Sequence, residues 1–440
     1  MALATPGKVA HYVGNWTVTT SGTSSSAPVT IKPAPGVTNP VLDGNHGKAT
    51  GCQTKACSGP VLTIGSKVHV DISGLTIQDG DHTFDGYGGA IQNDAGGTLS
   101  VSACTFFKNT ASDGGAIDNA DNAGTGTLTV SGSTFTDNRA IFGPGVDTYD
   151  GGAIDNADNA GIGTLTVSGS TFTDNSATSC TSNCSGGGGA IDSGDDGGTG
   201  TLAVSPSMFS GNSAHYGGAL ASGAGTGTVS GSTFSANRGN GNGGAIDNGS
   251  IAGSGVAGTL SVSASTFSAN SAVGNPKAPN VYNDMPNGYG GAIDNEPTGT
   301  LSVSGSTFSA NTAKKSGGTI NNFHLVWVAA DVFNGPCNEV DGVSWNDEGY
   351  NVGKDASCLK AGTGDVSHGA GHLGPLAHNG GPTETMLPLA GNTALGVVPL
   401  NSNVKLNGTS VTLCPTIDQR GVHSAAGKAC NAGAVQSPAP

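Results

Sequence analysis

The chain has 440 residues, a formal net charge of −15 and a pI near 4.8, with 76 glycines and only 35% hydrophobic and 5% aromatic residues. This acidic balance disfavours nucleic acid and anionic membrane surfaces as partners, and no stretch reaches the roughly 18 apolar residues of a transmembrane segment. Glycine at this level would signal disorder if it were scattered, but here it recurs at fixed positions, so the chain reads as a repeat array.

In chain order, Met1 is followed by polar residues rather than by a charged start and an apolar core, so Met1 reads as an added start on a mature chain. Residues 1–85 form an N-terminal cap and first coils, because Val61 to Gly80 alternates apolar and polar residues without the later punctuation. Residues 86–334 form the array. Gly-Gly-Ala-(Ile/Leu)-type segments start at Gly88, Gly114, Gly151, Gly188, Gly217, Gly243, Gly290 and Gly317. Each of Phe106, Phe135, Phe172, Phe209, Phe234, Phe267 and Phe308 is followed three positions later by Asn109, Asn138, Asn175, Asn212, Asn237, Asn270 or Asn311. Residues 335–440, richer in Pro, Cys and His, supply C-terminal coils and a closing cap, which an open stack of strand edges requires.

Between the two anchors, a segment such as Gly126 to Phe135 alternates Leu128 and Val130 with Thr and Ser, the period-2 signature of short strands. Short strands bounded by glycine and stacked unit on unit predict an all-β fold, a parallel β-helix. Each sequence position then becomes a ladder with rungs about 4.8 Å apart. Ile91, Ile117, Ile154, Ile191, Leu220, Ile246, Ile293 and Ile320 would form one aliphatic stack and the phenylalanines an aromatic one.

The pairing of GGA(I/L) with FxxN resembles the repeat of the polymorphic outer membrane proteins and related bacterial secreted right-handed β-helix proteins, from about Asp71 to Phe333. Leu373 to Leu389 (LGPLAHNGGPTETMLPL), Asp418 to Val422 (DQRGV) and Cys430 to Gln436 (CNAGAVQ) resemble the choice-of-anchor region that closes many bacterial surface β-helix proteins. Asn431 and Gln436 depart from that pattern, which usually carries acidic residues there, and no autotransporter barrel or sorting signal follows Pro440. The resemblance implies a right-handed helix, export and a secreted or cell-surface location, without implying one activity.

Four local cysteine pairs, Cys52 with Cys57, Cys180 with Cys184, Cys337 with Cys358 and Cys414 with Cys430, fit an oxidising compartment. Cys104 stands in a strand slot occupied by Ser in most other repeats and reads as a buried free thiol.

Three sets of residues depart from structural need. Asp118, Asp155, Asp192, Asp247 and Asp294 occupy the slot after the ladder isoleucines, with Asp121, Asp158 and Asp195 in the next turn. Alternation points these carboxylates outward. Their mutual repulsion is relieved by solvent and the neighbouring Asn119, Asn156, Asn248 and Asn295, or by calcium at Asp118, Asp121, Asp155, Asp158, Asp192 and Asp195. Tyr87, Tyr216 and Tyr289 precede a Gly-Gly pair, with Tyr149 one position earlier, at the corner where the insertions 139–150, 176–187 and 272–289 end. They either cover the glycine turns or stack on sugar rings. Asp155, Asp192, Arg139, Arg238 and His215 are the candidates for acid–base chemistry. Ser367 to His372 (SHGAGH), with His368, Gly369 and His372, lacks the companion motifs of a polygalacturonase.

The sequence therefore reads as a secreted, monomeric binding, adhesin or scaffold protein that contacts an extracellular glycan or cell-surface polymer and needs no cofactor beyond calcium, if any. The alternative is a polysaccharide lyase or glycoside hydrolase using a lateral groove.

Overall fold

The computed structural model describes residues 2–3, 11–19, 27–44, 59–93, 95–141, 149–179, 186–195, 197–249, 257–274, 288–340 and 342–436. The pairs Cys52–Cys57 and Cys180–Cys184, and most of the three insertions, lie outside them.

The described chain is a right-handed parallel β-helix. Four sheets run along it, with 12, 11, 13 and 8 strands, and a small antiparallel hairpin joins Asn403–Leu406 to Thr409–Thr412. One coil shows the plan. Ile117–Asn119 enters the 11-stranded sheet, Thr125–Ser131 the 12-stranded, Thr134–Thr136 the 13-stranded and Arg139–Ile141 the 8-stranded sheet.

The expected ladders are present in register. Ile91, Ile117, Ile154, Ile191, Leu220, Ile246, Ile293 and Ile320 pair rung to rung, all fully buried. Phenylalanine rings from Phe106 to Phe308 stack at 4.6–4.9 Å between centroids, near-parallel, and Phe333 closes the row at 5.5 Å. These two columns concentrate the few large apolar side chains on the axis, which is how so polar a composition builds a core.

The asparagines of FxxN form a third column. In each coil the residue before the Asn turns the chain with a positive φ, as at Asp137 (55°) and Asp174 (54°). The Asn side chain holds that corner. Asn175 Oδ1 accepts from Asn138 N at 3.0 Å and Asn138 Nδ2 at 2.9 Å, while Asn175 Nδ2 donates to Asn212 Oδ1 at 2.9 Å and Phe135 O at 3.0 Å. Buried amides are thereby satisfied.

Cys104 heads a serine column, is buried and free, and its amide donates to Ser133 Oγ at 3.1 Å. The Cys337–Cys358 and Cys414–Cys430 disulfides are formed.

Coil stacking continues beyond residue 334, through Ser344–Asp347, Val352–Gly353 and Val366–Ser367. The segment after it does more than close the end. It folds back along the 13-stranded sheet, where Thr233, Thr266 and Thr307 bond to Glu384, Gln419 and Ala434.

Candidate functional site, a buried acidic corner

The corner is built by the glycine pair. Gly114, Gly151 and Gly188 adopt φ of 58°, 61° and 54°, and a Cβ on Gly114 or Gly151 would strike the backbone at Ile117 or Ile154. Only glycine permits so close a turn. The chain then runs Gly-Ala-Ile-Asp-Asn, folding the segment before the pair over the strand that follows.

That overlap corrects the expectation for the aspartates. Alternation places them in solvent, but in Ile117–Asn119, Ile154–Asn156 and Ile191–Ser193 all three residues are buried. Asp118, Asp155, Asp192 and Asp294 are fully buried and Asp247 is 3% exposed, with Asp121 and Asp158 also buried and Asp195 half-buried. The row is in register from Asp118 to Asp155 to Asp192, is broken by Ala221, and resumes at Asp247 and Asp294 before ending in Asn321.

A second acidic row, missed by sequence reasoning, lies beside it. Asp113 and Asp150 immediately precede their Gly-Gly pairs, and both are fully buried. Asp150 N donates to Asp113 Oδ1 at 2.9 Å and Gly187 N to Asp150 Oδ1 at 2.5 Å, which links three coils. The visible signal was Asp before the pair in two successive, nearly identical repeats.

The two rows converge. Ligand atoms of Asp113, Asp150 and Asp158 lie within 4.8 Å of one another, as do those of Asp150, Asp192 and Asp195, and those of Asp247, Asp294 and Glu296. Asp118 and Asp121 fall in none of these groups, and neither does Asp155. Burial, then the carboxylates of Asp192, Asp195, Asp158 and Asp113, push Asp150 well above the usual range. Burial, then Asp158 and Asp192, do the same for Asp155. Burial and Glu296 raise both Asp247 and Asp294. Asn321 Nδ2 donates to Asp294 Oδ1 at 2.7 Å, and Asn242 Nδ2 to Glu296 Oε1 at 3.0 Å.

The tyrosines do not form a continuous track. The backbone register places Tyr87, Asp113, Asp150, Gly187, Tyr216, Asn242, Tyr289 and Ser316 on one ladder, so three coils separate Tyr87 from Tyr216 and one separates Tyr216 from Tyr289. Tyr149 is fully buried against Ala140, Ala177 and Ala214, where small residues leave room for its ring, and no ligand reaches it. Tyr216 packs edge-on against His215 at 4.4 Å and Tyr289 against Phe323 at 5.3 Å. Tyr87 is half-buried, with its phenol pushed up to about 12 by burial.

Of the acid–base candidates, Asp155 and Asp192 are neighbours on adjacent rungs, and His215 and the two arginines are not assembled with them into an accessible site. His215 is 3% exposed, and burial lowers its pKa to about 4. Arg139 and Arg238 are exposed rungs of one ladder with Ser176 and Ser213 between them, which puts them about 14 Å apart at the strand spacing. Asp155 and Asp192 lie under the corner.

The outer face of the 12-stranded sheet carries a column equally invisible as a site in the sequence. Thr98, Thr127, Thr164, Thr201, Thr226, Thr259 and Thr300 pair rung to rung across seven coils. Thr127, Thr164, Thr201 and Thr226 are exposed, and Thr129, Thr166 and Thr228 form exposed rungs beside them.

A family model, the Chlamydia polymorphic membrane protein repeat, matches residues 103–120, the stretch that contains Phe106, Asn109 and the Gly-Gly-Ala-Ile segment. No curated protein matches the chain. With its stacked parallel strands, the chain is a β-helix repeat protein, one of whose repeats is similar to the polymorphic membrane protein repeat. Among the described residues no helix is long and apolar enough to cross a membrane.

Proposed function

We propose that the protein is a non-catalytic, surface-exposed scaffold of the adhesin kind whose uncharged threonine face contacts an extended extracellular polymer, a neutral glycan in particular. The observation that carries this reading is the seven-coil threonine register, which repeats one hydroxyl and one methyl about every 4.8 Å along a rigid face. A polymer with a regular repeat can use many such rungs, whereas a small molecule uses one or two. The net charge of −15 favours a neutral partner over a polyanion.

Surface exposure is supported by the repeat family and by two formed disulfides, which suit an oxidising compartment. Lyase or hydrolase chemistry finds less support, because Asp155, Asp192 and His215 are buried and the arginines stand rungs apart. The test is incubation with a panel of neutral and acidic glycans. Retention in affinity electrophoresis without new reducing ends or unsaturated products supports the reading, and turnover of any glycan overturns it.

A further inference from the structure

The buried acidic corner calls for more than a scaffold requires. Carboxylates taken out of water are stable only when neutralised, well hydrogen-bonded or bound to a cation. Asp155 is fully buried, and neither of its carboxylate oxygens has a hydrogen-bond partner; Asp150 Oδ2, Asp247 Oδ2 and Asp294 Oδ2 are likewise buried and unpartnered. The last three belong to the groups whose ligand atoms converge within 4.8 Å.

We propose that this corner binds calcium at two places along the helix. One site is centred on Asp150, which reaches Asp113 and Asp158 on one side and Asp192 and Asp195 on the other. The second is formed by Asp247, Asp294 and Glu296. The donors are all carboxylate oxygens, without His or Cys, the set preferred by a hard cation with flexible coordination rather than by zinc.

Local structure fits this assignment. Gly187 occupies the rung where the preceding coils carry Asp113 and Asp150, and a Cβ there would collide with Asp192 Oδ2. The glycine clears the space into which that carboxylate turns. Ala221 interrupts the acidic row between the two groups, so the sites are separate along the axis. Each site draws ligands from successive coils, so a bound ion would clamp the stack where the long insertions leave it. The proposal is independent of the threonine face and of any glycan.

The test is equilibrium dialysis of the full chain, stripped with EDTA, against calcium chloride at neutral pH, with thermal unfolding followed in parallel. Retention of calcium and a raised melting temperature are expected, with Asp150→Asn and Asp294→Asn each removing one site and leaving the other. The sign of the effect separates a ligand from a merely structural group. Each Asn variant should melt no lower than the parent in EDTA, where it relieves buried repulsion, and lower than the parent in calcium. A chain that retains no calcium at millimolar concentration contradicts the proposal even if neither variant folds. So does undiminished binding by both variants, or an equal stabilisation by magnesium.

Discussion

Gln419 accepts a hydrogen bond from the Thr266 hydroxyl at 2.6 Å, across 153 residues of chain. The same carboxamide donates to Ser232 O at 3.1 Å, and to Thr233 Oγ1 and Thr383 Oγ1 at 3.0 Å. Asp418 beside it holds Arg420 in a buried ion pair at 2.7 Å and accepts from Gln436 N at 3.1 Å. The three closing segments thus meet in one clasp laid along the coils. Gln419→Ala removes the acceptor of the buried Thr266 hydroxyl, at a cost of about 1–3 kcal/mol, and strips the carboxamide's bonds from Ser232, Thr233 and Thr383. Limited proteolysis should then cut residues 373–436 while the coils survive; unchanged protease resistance would show that the clasp is held by other contacts.

The axial columns predict a matched pair of effects. Phe172→Ala opens a cavity between Phe135 and Phe209 and should cost about 3–5 kcal/mol. Asn175→Ala strands Asn138 N and Phe135 O and should cost on the order of 3 kcal/mol, although it removes little apolar surface. Chemical denaturation measures both, and an Asn variant as stable as the parent would refute the role given to the polar column.

These columns were legible because the same side chain marks each rung: Ile after Gly-Gly-Ala, and Phe three residues before Asn. The aspartates were not. Alternation holds for Thr125–Ser131, where exposed and buried residues take turns. It fails in Ile154–Asn156, because the strand is three residues long and the turn before it folds back over its outer side. Nothing local to Asp155 reveals that cover. Nor does anything in the sequence around Gln419 reveal that it docks on Thr266. The tyrosines misled for another reason: counting from each Gly-Gly pair gives their common ladder, while the intervening Asp113, Asp150, Gly187 and Asn242 show that the rungs are not adjacent.

Cys104 should be chemically silent in the native protein. Its thiol is buried, and desolvation raises its pKa, so little thiolate is available for reaction. Iodoacetamide should modify the Cys104 peptide only after denaturation. Native labelling, or a disulfide to Cys104 in non-reducing peptide mapping, would contradict its placement.

The C-terminal coils should weaken as pH rises. Burial, with a hydrogen bond donated by the protonated carboxyl to Asp347 next, raises Asp365 to about 7. A carboxyl raised in the fold favours the protonated form there, so its contribution is fully present below the unfolded value of about 3.9 and is lost as pH rises through 7. Thermal unfolding between pH 4 and pH 8 should show this slope, and Asp365→Asn should flatten it. An unchanged slope would assign the pH dependence to other groups.

Whether the threonine face is the binding surface is measured by glycan retention in a variant altered only there. Thr164→Glu with Thr201→Glu puts two like charges on adjacent exposed rungs while leaving the buried Leu165 and Leu202 in place. With an unchanged circular dichroism spectrum, this variant should lose retention of any neutral glycan that slows the parent protein in affinity electrophoresis. Retention equal to the parent's would contradict the proposed binding face.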